Sequence, residues 1–143
     1  MTRTQAPSWA ELEVGKGPAP RTLAPLTRTD FVRYQGASGD MNPIHHDETF
    51  ARDAGFPGPV SVGMFQAGVL HAWVAAWLGP ENVRRVGIRW QEPLFAGDVL
   101  TLSASVEKKY DRDGERRVDV RVTATKSDGK TAVTGQATYV VPG

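Results

Sequence analysis

Cysteine is absent from the 143 residues. That excludes a disulfide framework, a thiolate metal site and a cysteine nucleophile, and it is compatible with a reducing compartment. No apolar run approaches the roughly 20 residues needed to span a bilayer. The opening MTRTQAPSWAELEVGKGPAP has no apolar segment of the signal-peptide kind. Neither a signal peptide nor a membrane anchor is expected, and cytoplasm is the default location. A surplus of charge of one sign is also missing. Seventeen Lys and Arg against 16 Asp and Glu give a formal net charge of +1, so no polyanion footprint covers the chain and nucleic acid is not an expected partner. Histidine is scarce, three in all, and two of them adjoin at the end of GASGDMNPIHH, residues 36–46.

The length suits one domain, 1–143, able to bury roughly two-thirds of its unfolded surface without a metal or disulfide. Residues 1–20, rich in Pro, Gly and small residues, read as an extended arm with Trp9 and Leu12 as anchors. Arg21–Leu26 is strand-like, and Thr27 or Thr29 is placed to cap a short helix through Asp30, Phe31, Val32 and Tyr34 that GASGD breaks. Asp47 is a candidate N-cap for a helix running to Ala54 and ending at Gly55. From Gly63 to Leu78 the segment GMFQAGVLHAWVAAWL is apolar nearly all round, as in a helix buried on most sides.

Four strands are expected after that helix, over Val83–Gln91, Asp98–Tyr110, Arg116–Ser127 and Lys130–Val141. DRDGE and SDGK are hairpin-type connections between the last three. Val118, Val120, Val122 and Ala124 alternate with polar residues, as in an antiparallel sheet with one wet face. One buried helix followed by an antiparallel meander is an α+β arrangement in which the sheet wraps the helix.

GDMNPIH, the apolar helix opening with Gly-Met, and WQEPLFAGDVL together resemble the MaoC-like hydratase/dehydratase family of hotdog-fold proteins, the R-specific enoyl-thioester hydratases. The likeness runs over nearly the whole chain: the arm with ELEVG, the Asp-x-Asn-Pro-x-His signature at Asp40–His45, the central helix, and the Pro-x-x-x-Gly-Asp turn at Pro93–Asp98. It implies a hotdog fold, a dimer as the minimum assembly, and an acyl thioester of coenzyme A or acyl carrier protein as substrate.

Adding water across a 2-enoyl thioester needs a base for the water proton, an acid for the α-carbon, and a donor for the charge that builds on the thioester oxygen. No cofactor enters. Asp40 is assigned as principal base, and His45 as the residue that positions water and protonates the α-carbon, with a scheme in which one residue shuttles both protons as the alternative. Pro43 fixes φ so that the turn brings His45 back toward Asp40, and Gly39 lets substrate or a partner chain approach closely. Asn42 braces the turn or orients Asp40. By the resemblance, the amide of Gly63 at the helix N-terminus meets the thioester carbonyl, with Met64 and His71 at the substrate. Where the family commonly has His-Gly-Met, this chain has Val62-Gly63-Met64.

Each residue also has a plainer reading. An aspartate in a Gly-rich stretch serves turns and caps, His46 is a solvated or rim neighbour, and His71 is a structural helix residue. A zinc site from His45, His46 and His71 is disfavoured, because adjacent histidines on an extended chain point to opposite sides and no partnered acid stands at helical spacing; no metal is expected. Trp73 and Trp77 are core or dimer contacts, and Arg84, Arg85 and Arg89 are solvated unless they meet the phosphates of the thioester carrier. Two other functions stay open. A hotdog thioesterase is disfavoured because Gly63–Leu78 holds no Asp or Glu. A non-catalytic or half-catalytic subunit completed by a second hotdog chain, in a heterodimer rather than a homodimer, is kept open by Val62.

Overall fold

The strict alternation in VDVRVTATK decides the architecture. In the computed structural model, which describes residues 6–142, this segment lies in a five-stranded antiparallel sheet. Its strands are β1 (Arg21–Thr22), β2 (Val83–Trp90), β3 (Leu100–Arg112), β4 (Glu115–Lys126) and β5 (Thr131–Val140), in the order β1-β3-β4-β5-β2. Leu102, Ala104 and Val106 of β3 face Ala124, Val122 and Val120 of β4, which in turn face Val133, Gly135 and Ala137 of β5. One face is therefore apolar and buried, and the other is polar. The β3–β4 turn has Asp113 at φ 55° and Gly114 at φ 75°, the two left-handed positions of a type I′ hairpin, whose twist matches the strands.

Among the described residues three α-helices lie outside the sheet: α1 (Arg28–Ser38), α2 (Glu48–Asp53) and α3 (Gly63–Leu78). α3 lays Leu70, Val74 and Leu78 onto the apolar face, where they join Val118, Val120, Val122 and Tyr139 in one core. This is the α+β hotdog arrangement expected from the sequence, with α3 over its predicted span. The arm is tied down: Leu12 is buried, and Lys109 Nζ donates to Trp9 O and Leu12 O while lying 4.4 Å from the Trp9 ring centre. Residues 1–5 of the expected arm fall outside the described residues.

Several boundaries move, each for a physical reason. The first strand is in register with β3 at Arg21 and Thr22, and Leu23 N donates to Leu100 O at 2.9 Å. Pro25, which has no N–H, interrupts the ladder before Leu26 N donates to Asp98 O. α1 does not break at Gly36 but runs to Ser38 and stops at Gly39, φ 79°; an interior glycine costs a helix only about 1 kcal/mol. Asp98 is a turn residue rather than the start of β3, its carboxylate accepting from Phe95 N. α3 is less enclosed than its sequence suggests: Met64, Gly68, Ala72 and Ala76 form an exposed stripe, and Val83, Val86 and Trp90 of the edge strand β2 are exposed as well.

Candidate active site

The loop after α1 carries Asp40 and His45, the expected acid–base pair. Thr27 caps α1 in a reciprocal box with Asp30, whose carboxyl is held below its usual range by hydrogen bonds from the Thr27 hydroxyl and amide. At the other end Gly39 turns the chain out, its N–H donating to Gln35 O at 2.9 Å. Gln35 is buried, and its Nε2 donates to Asp40 O (2.8 Å) and Asn42 O (3.1 Å), clamping the loop from beneath. Asn42 Oδ1 accepts from Ile44 N (3.0 Å) and so caps the 3-10 turn Pro43–His45, with Pro43 at its first position. Asn42 N donates to Asp40 Oδ1 at 3.3 Å.

That turn buries the His45 ring against the segment leading into α3. His45 Nδ1 lies 2.7 Å from Val60 O. A carbonyl only accepts, so Nδ1 carries a proton, and Nε2 is the nitrogen left to face Asp40. Nε2 stands 3.7 Å from Asp40 Oδ2, with the Asp40 side chain about half exposed. The gap is too long for a direct hydrogen bond and suits a bridging water. The same segment is pinned from two sides: Val60 N donates to Ile44 O of the turn (3.1 Å) and Ser61 N to Leu94 O in the loop after β2 (2.7 Å). Three residues after Val60, α3 starts at Gly63 with no side-chain cap from Val62. Its first amides have no acceptor within the helix, and its dipole is positive there. A cleft of about 250 Å³ opens beside Gly63, lined in part by Val60, Ser61, Gln66, Trp90 and Glu92.

The structure thus brings Asp40 and His45 together and ties His45, through Val60, to the segment that begins α3. Met64 is exposed beside Gly63. His71 is not brought to the pair: it lies two turns along α3, about 12 Å in rise from Gly63. Its ring nitrogens are enclosed without a hydrogen-bond partner, and burial pushes its pKa down. His46 is exposed and turns away from His45 to bond Gln35 Oε1 at 3.0 Å. Arg84 is engaged by Glu115 at 2.7 Å, while Arg85 and Arg89 line a groove on the sheet face turned away from α3.

Sequence reasoning missed three residues at this site. Gln35 has no signal in the sequence, because its burial depends on where the loop returns. Gln66 does have one: with His71, it is the only polar side chain in the otherwise apolar α3 segment. Its amide, oriented to satisfy its neighbours, donates to Val62 O and to Gly63 O (2.9 Å) and accepts from Ser61 Oγ (2.6 Å). Trp90, at the end of β2, donates its indole N–H to Gly63 O at 2.8 Å.

Known proteins share the fold and the family pattern of this chain. A family model described as "MaoC like domain" matches residues 10–128. Over 137 residues the chain is 28% identical to an (R)-specific enoyl-CoA hydratase of Rhodospirillum rubrum, covering 91% of this chain and 90% of that protein. The solved R-hydratase of Pseudomonas aeruginosa superposes with a TM-score of 0.81 at 29% identity, over 94% of this chain and 85% of that one. The ChsH1-ChsH2 complex of Mycobacterium tuberculosis gives a TM-score of 0.78 at 24% identity, over 91% of this chain and 98% of that one, a likeness of fold.

Proposed function

The chain belongs to the MaoC-like hydratase/dehydratase family, and from that premise we propose that it hydrates trans-2-enoyl thioesters, and in reverse dehydrates (R)-3-hydroxyacyl thioesters, using Asp40 and His45. It is of the hydro-lyase type, as its (R)-specific enoyl-CoA hydratase relative is by name. The observation that carries the assignment of residues is the facing of Asp40 Oδ2 and His45 Nε2 at 3.7 Å, close enough for one water to hydrogen-bond to both.

In the forward direction Asp40 takes a proton from that water as its oxygen bonds to C3. Electron density moves to the thioester oxygen, and the amide of Gly63 receives it at the dipole end of α3. His45, with Nδ1–H spent on Val60 O, works at Nε2: as the imidazolium it pairs with the Asp40 carboxylate and gives its proton to the α-carbon. The proton Asp40 has gained then returns to His45. Dehydration follows the same path backwards with the same pair. The acyl thioester, of coenzyme A or acyl carrier protein, is the substrate, and no step calls for a metal or cofactor.

The exposed Met64/Gly68/Ala72/Ala76 stripe and the apolar residues of edge strand β2 support a dimer, in which a second copy covers both. A second hotdog chain would cover them equally, and the solved neighbour that pairs two different chains keeps that reading in play.

The test is loss of the conjugated enoyl-thioester absorbance with substrates from crotonyl-CoA to long-chain enoyl-CoA. Parent protein hydrates one or more of them, and Asp40→Asn, folded as the parent, is slower by at least about 100-fold, the low end for removing a general base. Full activity in Asp40→Asn refutes the assignment. Free thiol released with the enoyl group intact identifies a thioesterase instead. Inactivity of the chain alone, restored by a second hotdog chain, identifies a half-catalytic subunit.

A further inference from the structure

We infer that Gln66 and Trp90 are positioning residues of this site, holding and polarising the two peptide groups whose N–H atoms belong to Gly63 and Met64. The inference rests on the reading that the thioester oxygen meets the first amides of α3.

A buried amide costs stability unless its hydrogen bonds are made. Gln66 is 4% exposed in a helix that is otherwise nearly all apolar, where leucine or methionine would fill the space without that cost. Its three bonds all go to one turn: Nε2 donates to Val62 O and Gly63 O, and Oε1 accepts from the buried Ser61 hydroxyl. Trp90 reaches the same turn from a different element. It is 48% exposed, yet its indole N–H is committed to Gly63 O at 2.8 Å. The ring is packed so close that a Cβ on Gly63 would lie 3.2 Å from the indole nitrogen.

The chemistry follows from which carbonyls are engaged. Val62 C=O shares its peptide plane with Gly63 N–H, and Gly63 C=O shares its plane with Met64 N–H. Val62 O receives Phe65 N at 2.9 Å as well as Gln66, and Gly63 O receives two side-chain donors from two elements. A donor on the carbonyl end draws electron density through the peptide and makes its N–H a stronger donor, by roughly 10–30% per bond. It also fixes the plane, so the amide need not reorient as charge develops on the thioester oxygen. Val62 supplies no side-chain cap, so these two residues do the fixing at this helix start.

The test uses Gln66→Met, which keeps the packing and removes the amide, and Trp90→Phe, which keeps a ring and removes the N–H. For each, kcat for enoyl-CoA hydration falls about ten-fold, less than the loss of an oxyanion donor itself, while KM changes less than two-fold. The second readout is spectroscopic. In an Asp40→Asn background, which leaves the ligand unconsumed, a bound cinnamoyl-CoA absorbs to the red of free cinnamoyl-CoA, and adding Gln66→Met or Trp90→Phe shrinks that shift. Folded variants with parental kcat and parental red shift overturn the inference, as does a loss confined to KM. An Asp40→Asn protein that binds cinnamoyl-CoA with no red shift overturns it too. If instead Asp40→Asn hydrates as well as the parent, the assignment of the acid and base fails, whatever the red shift shows.

Discussion

Asp40 and His45 are five residues apart in the chain, and their meeting depends on a residue that is neither acid nor base. Gln35, buried at the end of α1, holds Asp40 O and Asn42 O with one amide nitrogen and His46 with its oxygen. That Asp40 and His45 come together was legible because their residue types and the Asn-Pro turn between them are local. The clamp was not, because whether a glutamine is buried is settled by tertiary return. Replacing it by leucine, of similar volume, removes three hydrogen bonds whose partners are near water. The stability cost is therefore modest, about 1–2 kcal/mol, while the loop carrying Asp40 loses its anchor. Gln35→Leu lowers kcat by about ten-fold, as expected for a misplaced catalytic group, with a thermal midpoint within a few degrees of the parent. A parental kcat would show that Asn42 and Pro43 alone hold the loop.

Among the elements, the caps and hairpins were readable because each rests on short-range chemistry. Thr27 with Asp30 makes the reciprocal box at α1, Asp47 caps α2 by accepting from Phe50 N at 2.9 Å, and Asp113-Gly114 has the two positive-φ residues of its turn. The extent of α1 was not readable, since Gly36 weakens a helix without ending it. α3 carries a histidine whose proton affinity burial lowers. His71 has its pKa pushed down by desolvation, from an ordinary value near 6.5. The folded chain therefore binds fewer protons than the unfolded chain below about pH 6.5, and stability falls as pH drops from there toward the folded value. The thermal midpoint declines as pH falls below the unfolded value of about 6.5, and His71→Leu makes that decline shallower. An unchanged slope would mean that His71 gains a partner in the assembled protein that restores its proton affinity.

For the whole molecule, the sequence order of strands does not reveal that β2 pairs with β5 at an edge. That pairing closes a long connection rather than a hairpin, and only α3 packed beneath the sheet decides it. The same placement explains why α3 looked buried on most sides and yet leaves Met64, Gly68, Ala72 and Ala76 outward. In a single chain, apolar residues sit in water along a stripe of small side chains, a surface that lets another backbone approach closely, and Val83, Val86 and Trp90 extend it onto β2. A second copy laid on this surface removes it from solvent, so a charge placed there opposes association without touching the core. Ala72→Arg adds a long cation at an exposed helical position, where a folded monomer accommodates it with a change of about 0.5 kcal/mol or less. In a packed interface the same cation is buried unpaired, at a cost of several kcal/mol. Sedimentation equilibrium then finds dimer for the parent and folded monomer for Ala72→Arg. The loss of hydratase activity tracks the fraction dissociated if the neighbouring copy shapes the acyl site. A dimeric Ala72→Arg protein would place the interface elsewhere, and a fully active monomer would confine the reaction to the residues of one chain.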